Sequence, residues 1–505
     1  MIDALSERVM RKVQWTLTIG WLILIISLFY DPISAQLTAP SSTWSPLRIN
    51  QSSYQCPITN EEKSSIDWGQ YSPGTADSRC PSIQNRWVVN HAYPLGTHIF
   101  WASVSLAAPL LLIFGHSGWR RICPLSFLSQ LPKALGLQQN RKIKNESWLG
   151  RYYWVLQFGI LYLGLTLRIL LVNSSRLGLG VFLLFTIASA MLINLIFKGK
   201  TWCHYFCPFA PVQKILTGTG GLLEKTKSTR SSIPQSMCRT IDLQQHEVSA
   251  CVGCKTACSD IDLERSYWSE LFKPGRRFAQ YGYVGLVAGF YGYYFLYSGD
   301  WDYYFSGVWT YESDVVEQWW QPGLYLLKWA VPIPKVIAAP LVLEIATVSS
   351  YCLGVGLEQL YRRCRQQLGH SISTEIARRQ CYSVASYIAF NLFYWFGGRL
   401  SLEILPEPLS WGTNIGILLA SSVWLGRALW YTVPPKSSKH VSAIASETGT
   451  SRKSSLGIVA ASVVSISSLA RRSKLKVHKP ESSFTPVAQH QIHDVRVAQL
   501  LSSKR

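Results

Sequence analysis

Residues 178–208, GLGVFLLFTIASAMLINLIFKGKTWCHYFCP, decide how the rest of the chain is read. The apolar part, 178–197, carries no charged side chain. As a helix it rises about 1.5 Å per residue and so spans the roughly 30 Å hydrocarbon core of a bilayer. Lys198 and Lys200 follow at once, and then Cys203, Cys207 and Pro208. The pattern places two thiols at the basic edge of a span.

The same length criterion picks out further runs at roughly 13–30, 96–114, 152–172, 280–297, 336–357, 381–398 and 411–432. The chain therefore reads as an all-α polytopic membrane protein with about eight transmembrane helices. Its composition agrees. Only 15% of residues are charged, against roughly 25% in soluble proteins. The 20 Trp suit the two membrane interfaces, where an apolar ring lies beside a polar tip. No small-residue cleavage pattern follows Tyr30, so the first run reads as a retained span.

The net charge of +21 invites a nucleic-acid reading. Its placement argues against one, because the basic residues lie in loops between apolar runs and in the tail. With eight spans, Arg8, Arg11 and Lys12, the loops 115–151, 198–279 and 358–380, and the tail all share one side. The opposite loops hold Asp300, Asp302, Glu312, Asp314, Glu317, Glu403 and Glu407, with Arg176 as an exception. The positive-inside rule makes the basic side, and both termini, cytosolic. Anionic lipid heads are the expected neighbours of that face.

Five segments follow. Residues 1–95 hold the first span and a long outer loop, in which Cys56 and Cys80 suit a disulfide, free thiols or a metal pair. Residues 96–200 hold spans that end in Cys-Pro motifs, and 201–279 form a small cytosolic cysteine-bearing loop domain. Residues 280–433 hold further spans around an aromatic outer loop, 298–335, expected to lie as an interfacial anchor. The Ser-rich basic tail, 434–505, has too little apolar content for a core, apart from the short run 456–470.

The strongest chemical signal is Cys238, Cys251, Cys254 and Cys258, spaced C-x12-C-x2-C-x3-C. Four converging thiolates suit a 4Fe–4S cluster, with Gly253 letting the backbone pass close to it and Lys255 and Arg239 offsetting charge. They also suit tetrahedral zinc, and spacing does not separate the two. The ferredoxin run C-x2-C-x2-C-x3-C-P is not matched, because one C-x2-C step is missing and Ser259 replaces the Pro. A second signal is Cys203-x3-Cys207-Pro208, whose sulfurs share a face if the segment is helical. It has an echo in GWRRICP, where Cys123-Pro124 aligns with Cys207-Pro208 and Trp119 with Cys203. Cys123, Cys203 and Cys207 are thus candidates for a second cluster or metal, with His204 as a fourth donor. The plainer reading is small residues ending two spans.

Spans that end in C-x3-C-P before a cluster-type cysteine loop resemble the membrane-bound ferredoxin family that includes NapH and NosR. The resemblance covers roughly residues 96–300 and rests on Cys203, Cys207 and Pro208, on Cys123 and Pro124, and on Cys238, Cys251, Cys254 and Cys258. It implies membrane helices and iron–sulfur clusters that carry electrons to or from redox enzymes. The family's usual pattern has two full C-x3-C-P motifs and two ferredoxin runs; this chain has one and a half of the former and one four-cysteine set.

Ionisable residues within spans are functional candidates. His98, Arg168 and Glu344 all fall in the outer half and would suit a quinone pocket; haem lacks a second intramembrane His. The competing reading has His98 and Arg168 reaching for the interface and Glu344 paired. The expected function is electron transfer between a redox partner protein, or quinone, and a 4Fe–4S cluster on the cytosolic face. Such a chain is a component of a redox system more than a stand-alone enzyme. A redox-sensing or metal-handling accessory protein, or a scaffold with structural zinc, are the alternatives.

Overall fold

A computed structural model describes residues 7–39, 94–224, 251–299, 316–326, 329–369, 372–402 and 405–430. It adds short pieces at 42, 44–45, 47, 82–83, 86–87, 238–241, 247–249, 301–305 and 309. The Cys56 and Cys80 pairing and the tail 434–505 lie outside the described residues. All described elements belong to one unit, Met1–Lys436.

The chain is mostly helical. Among the described residues eight helices are 20 residues or longer: α1 Glu7–Phe29, α2 Leu95–Ile122, α3 Trp148–Leu167, α4 Arg176–Ile196, α5 Arg276–Ser298, α6 Lys335–Gln367, α7 Thr374–Phe393 and α8 Glu407–Trp430. Five of them, α1, α2, α3, α4 and α6, are long and apolar enough to cross a membrane. Two of the other three are more polar for a visible reason. In α5 the tyrosines Tyr281, Tyr283, Tyr291, Tyr293, Tyr294 and Tyr297 are buried inside the bundle. In α7, Arg379 and Tyr382 are buried likewise.

Small residues let helix backbones approach closely. The contact between α5 and α6 shows it. A Cβ built on Gly285 would lie 2.1 Å from the Ala346 carbonyl oxygen, and one on Gly289 2.7 Å from the Ala346 Cβ. Only glycine permits that approach. A second cluster joins α1 to α4 through Ile25, Leu28, Leu179 and Leu183.

The chain is not purely helical. Three two-stranded antiparallel pairs occur, Ser82–Ile83 with Arg86–Trp87, Arg239–Ile241 with Glu247–Ser249, and Pro322–Leu326 with Trp329–Pro334. The third lies in the segment expected as a flat anchor. Trp320 and Trp329 there are exposed, yet Trp319 turns inward and donates from Nε1 to the Leu170 carbonyl at 2.9 Å. Nor is 201–279 a plain loop. Trp202–Phe206 forms a π-helical turn and Phe209–Thr217 a helix, and Tyr205, Val212, Ile215 and Leu216 join the main core.

Candidate metal centre

Two corners and one loop build the site. Helix α2 breaks at Gly115, φ 75°, and its last turn restarts beyond it. The Glu224 carboxylate accepts from the freed N–H groups of His116 at 3.1 Å and Ser117 at 2.6 Å, so the break leaves them satisfied. That turn ends at Cys123, whose φ of −63° and ψ of 116° are extended, as the following Pro124 requires. The second corner repeats the first. Cys207, before Pro208, has φ −57° and ψ 121°. The Cys123 thiol faces the backbone N–H groups of Leu125 and Ser126, and the Cys207 thiol those of Phe209 and Ala210, two and three residues on in each case. The sequence echo is therefore also a structural one.

Cys203 lies on the π-helical turn, with Sγ 3.7 Å from the Ser126 hydroxyl of the first corner. Cys123, Cys203 and Cys207 are near enough to interact electrostatically. Burial first, then the sulfurs of Cys203 and Cys123, push the Cys207 thiol above its ordinary range.

The four-cysteine set meets at a separate pocket. Arg239–Ile241 pairs antiparallel with Glu247–Ser249, with Cys238 just before the first strand and Cys251 just after the second. Cys238, Cys251, Cys254 and Cys258 then line one pocket with Gln130, Lys133, Gly199 and Lys200. It encloses about 430 Å³ of atom-free space, part of it open to solvent. Cys251 is exposed, and the other three are half-buried.

Backbone geometry around the pocket is unusual. Gly253 and Ala257 have φ of 58° and 52°, and a non-glycine residue there marks a conformation held by its surroundings. The Gly253 N–H donates to the Cys251 sulfur at 3.4 Å. The N–H groups of Lys200 and Asp260 approach the sulfurs of Cys254 and Cys258. Burial raises the thiols of Cys238, Cys254 and Cys258, so all three are neutral until a cation binds and displaces their protons.

A buried polar network joins the two groups of thiols. Arg120 Nη1 donates to Asp260 Oδ1 at 2.6 Å, and both side chains are almost wholly buried. His204 Nε2 lies 3.5 Å from Arg120 Nη2, 3.9 Å from Asp260 Oδ2 and 3.8 Å from Cys258 Sγ. Burial, then the charges of Arg120, Lys255 and Lys214, hold His204 well below its ordinary range and hence neutral. His204, Cys258 and Asp260 are, among the described residues, the group whose metal-type donor atoms lie within 4.8 Å of one another.

That distance bears on the zinc alternative. Zinc–sulfur bonds of about 2.3 Å in a tetrahedron draw thiolates to about 3.8 Å apart. Among the described residues no three of the four sulfurs at the pocket converge so far. The four cysteines thus line one pocket without their sulfurs meeting at one ion-sized point.

Lys255, inside the loop, is tied down. It donates to Glu270 Oε1 at 2.6 Å, and Lys214 reaches the same carboxylate at 2.7 Å. Burial alone would raise Glu270, but the two ammonium groups override it and hold the carboxyl well below its usual range. Of the two bases Lys214 is the weaker, pushed down by burial to about 7.

The outer-half candidates do not converge. Arg168 lies 3.8 Å over the Trp101 ring and 4.9 Å from that of Phe290, so it packs inward and does not reach for the interface. His98 and Glu344 are exposed on their helices. No family model, curated protein or solved structure matches the chain.

Proposed function

We propose that this is an integral-membrane electron-transfer protein that carries one 4Fe–4S cluster on Cys238, Cys251, Cys254 and Cys258. The observation that carries the reading is their meeting at one pocket, under backbone N–H groups directed at the sulfurs. Such N–H groups favour the reduced state of a cluster and so tune its potential. When bound, the cluster supplies a one-electron couple. The chain's residues hold it, limit water, and set its charge environment through Arg120, Lys255 and His204. The resemblance to the membrane-bound ferredoxin family points the same way.

In this reading all eight long helices cross the membrane, and the cysteine-bearing end faces the cytosol with both termini. Cys123, Cys203 and Cys207 form a second thiol site for a cluster or metal. The quinone and haem readings gain nothing from Arg168, His98 and Glu344. A second reading has one observation in its favour, the close approach of His204, Cys258 and Asp260, which suits a single ion in a metal-handling or sensing protein. Arg120 holds only Oδ1 of Asp260, and the buried Oδ2 has no hydrogen-bond partner.

The deciding experiment is metal and acid-labile sulfide analysis, with electron paramagnetic resonance, on protein purified without oxygen. About four iron and four sulfide per chain with a reduced-state signal is expected. Zinc without sulfide would sink the proposal. A reporter fused after residue 434 is expected to read cytosolic.

A further inference from the structure

The exposed edge of the site has a distinctive rim. Cys251 is the ligand candidate open to solvent, and Gly253 beside it is exposed too. The segment 133–151 runs alongside. It holds Lys133, Arg141, Lys142, Lys144 and Arg151 against a single carboxylate, Glu146. A Cβ on Gly253 would stand 3.4 Å from the Lys142 Nζ. Asn145 Nδ2 donates to the Thr256 hydroxyl at 3.1 Å, which fixes this segment to the cysteine loop. The Lys198 N–H donates to the Arg141 carbonyl at 2.9 Å, and the Gln139 N–H to the Leu195 carbonyl at 2.8 Å. The rim is therefore held in place before any partner arrives.

The positive-inside rule explains the sign of this charge but not its distribution. Elsewhere on the same face cations are used internally. Arg277 and Arg378 both bond to Glu358, and Arg276 lies 4.2 Å over the Trp154 ring. Arg141, Lys142 and Lys144 are exposed and have no carboxylate partner among the described residues. Unneutralised charge collects where the site opens.

We propose that the rim of Arg141, Lys142, Lys144 and Lys198 around Cys251 is the docking surface for an acidic, soluble one-electron carrier protein. The inference rests on the electron-transfer reading above. One electron passes from the reduced carrier to the oxidised cluster or back, and no bond forms or breaks. Complementary charge raises the encounter rate and orients the partner, with small buried area and fast release. Lipid heads offer the same anionic chemistry, but lipid has no use for the cofactor's exposed edge.

The test uses the full-length protein in nanodiscs of neutral lipid, with a plant-type 2Fe–2S ferredoxin as the acidic probe. The variant is Lys142→Glu/Lys144→Glu, at exposed positions. Binding of the ferredoxin, and its rate of cluster reduction, are measured at low and high salt. The expected result is a loss on the order of tenfold in both at low salt, with a flatter salt dependence. Reduction by the small methyl viologen radical is expected to be unslowed. Ferredoxin binding and rate that match the wild type would overturn the proposal. So would a variant that loses only its binding to anionic-lipid vesicles, which would assign the rim to lipid. Iron and sulfide are measured on the same samples. Their absence would remove the electron-transfer reading, while the binding result would still decide the docking surface.

Discussion

Nε2 of His204 lies 3.8 Å from Sγ of Cys258, although 54 residues separate them in sequence. The imidazole is buried and neutral, with Arg120 Nη2 3.5 Å from its Nε2. In the tautomer that carries the proton on Nε2, the imidazole donates to the Cys258 sulfur, which would stabilise the more negative, reduced cluster and so raise its potential. His204→Leu is expected to lower the midpoint potential in an EPR-monitored redox titration while iron and sulfide content stay at wild-type levels. An unchanged potential would show that His204 only fills space. Loss of the cluster would instead make it a ligand.

Gly199 forms the wall behind Cys254. Its φ is 76°, and a Cβ there would lie 2.5 Å from the Cys254 Cβ and 3.0 Å from its Sγ. Gly199→Ala thus adds left-handed strain of roughly 1–2 kcal/mol and pushes a ligand candidate out of position. The expected outcome is a marked fall in iron per chain, with helix content by circular dichroism unchanged. Full iron occupancy would mean that Cys254 can shift freely and that the pocket walls do not set its position.

Much of the fold is legible in the sequence. The eight apolar runs fall on the helices α1 to α8, and five of these are long and apolar enough to cross a membrane. Spacing alone also groups the four cysteines, and the Cys-Pro echo becomes a repeated backbone corner. What the sequence hides is what distant residues do to one another. Arg120 and Asp260 are 140 residues apart, and neither stands out beside Cys123 or Cys258 until the helices meet. Glu270 and Lys214 look like ordinary charges of a basic loop, and only packing shows them buried. The tyrosines of α5 lower its hydropathy because they face the interior.

Cys203 tests whether the two thiol groups are separate centres. Its sulfur contacts Ser126, outside the pocket of the four cysteines. Cys203→Ala is therefore expected to leave the 4Fe–4S signal in place and to remove any additional metal held by Cys123 and Cys207. Metal analysis beside EPR reads both. If the same cluster signal disappears, the two groups form one site and the four-cysteine assignment is wrong.

The ion triad of Glu270 with Lys214 and Lys255 sets how firmly the cysteine loop is anchored. All three charges are buried, so the attraction is little screened, and removing one partner leaves the others costly. Glu270→Gln strands two ammonium groups and is expected to cost about 3–5 kcal/mol. The pH dependence separates this from simple loss of packing. In the wild type the Glu270 carboxyl is depressed, so its contribution is present above the unfolded value of about 4.3 and is lost as pH falls further. In the variant the stranded lysines bind protons less well folded than unfolded. Lys214, at about 7, already makes wild-type stability rise from there to about 10.4, the unfolded lysine value, and with both lysines stranded the rise should be steeper in the variant. Thermal unfolding of both proteins across this range gives the measurement. Parallel curves, offset by a constant, would mean that the triad carries no charge-specific role.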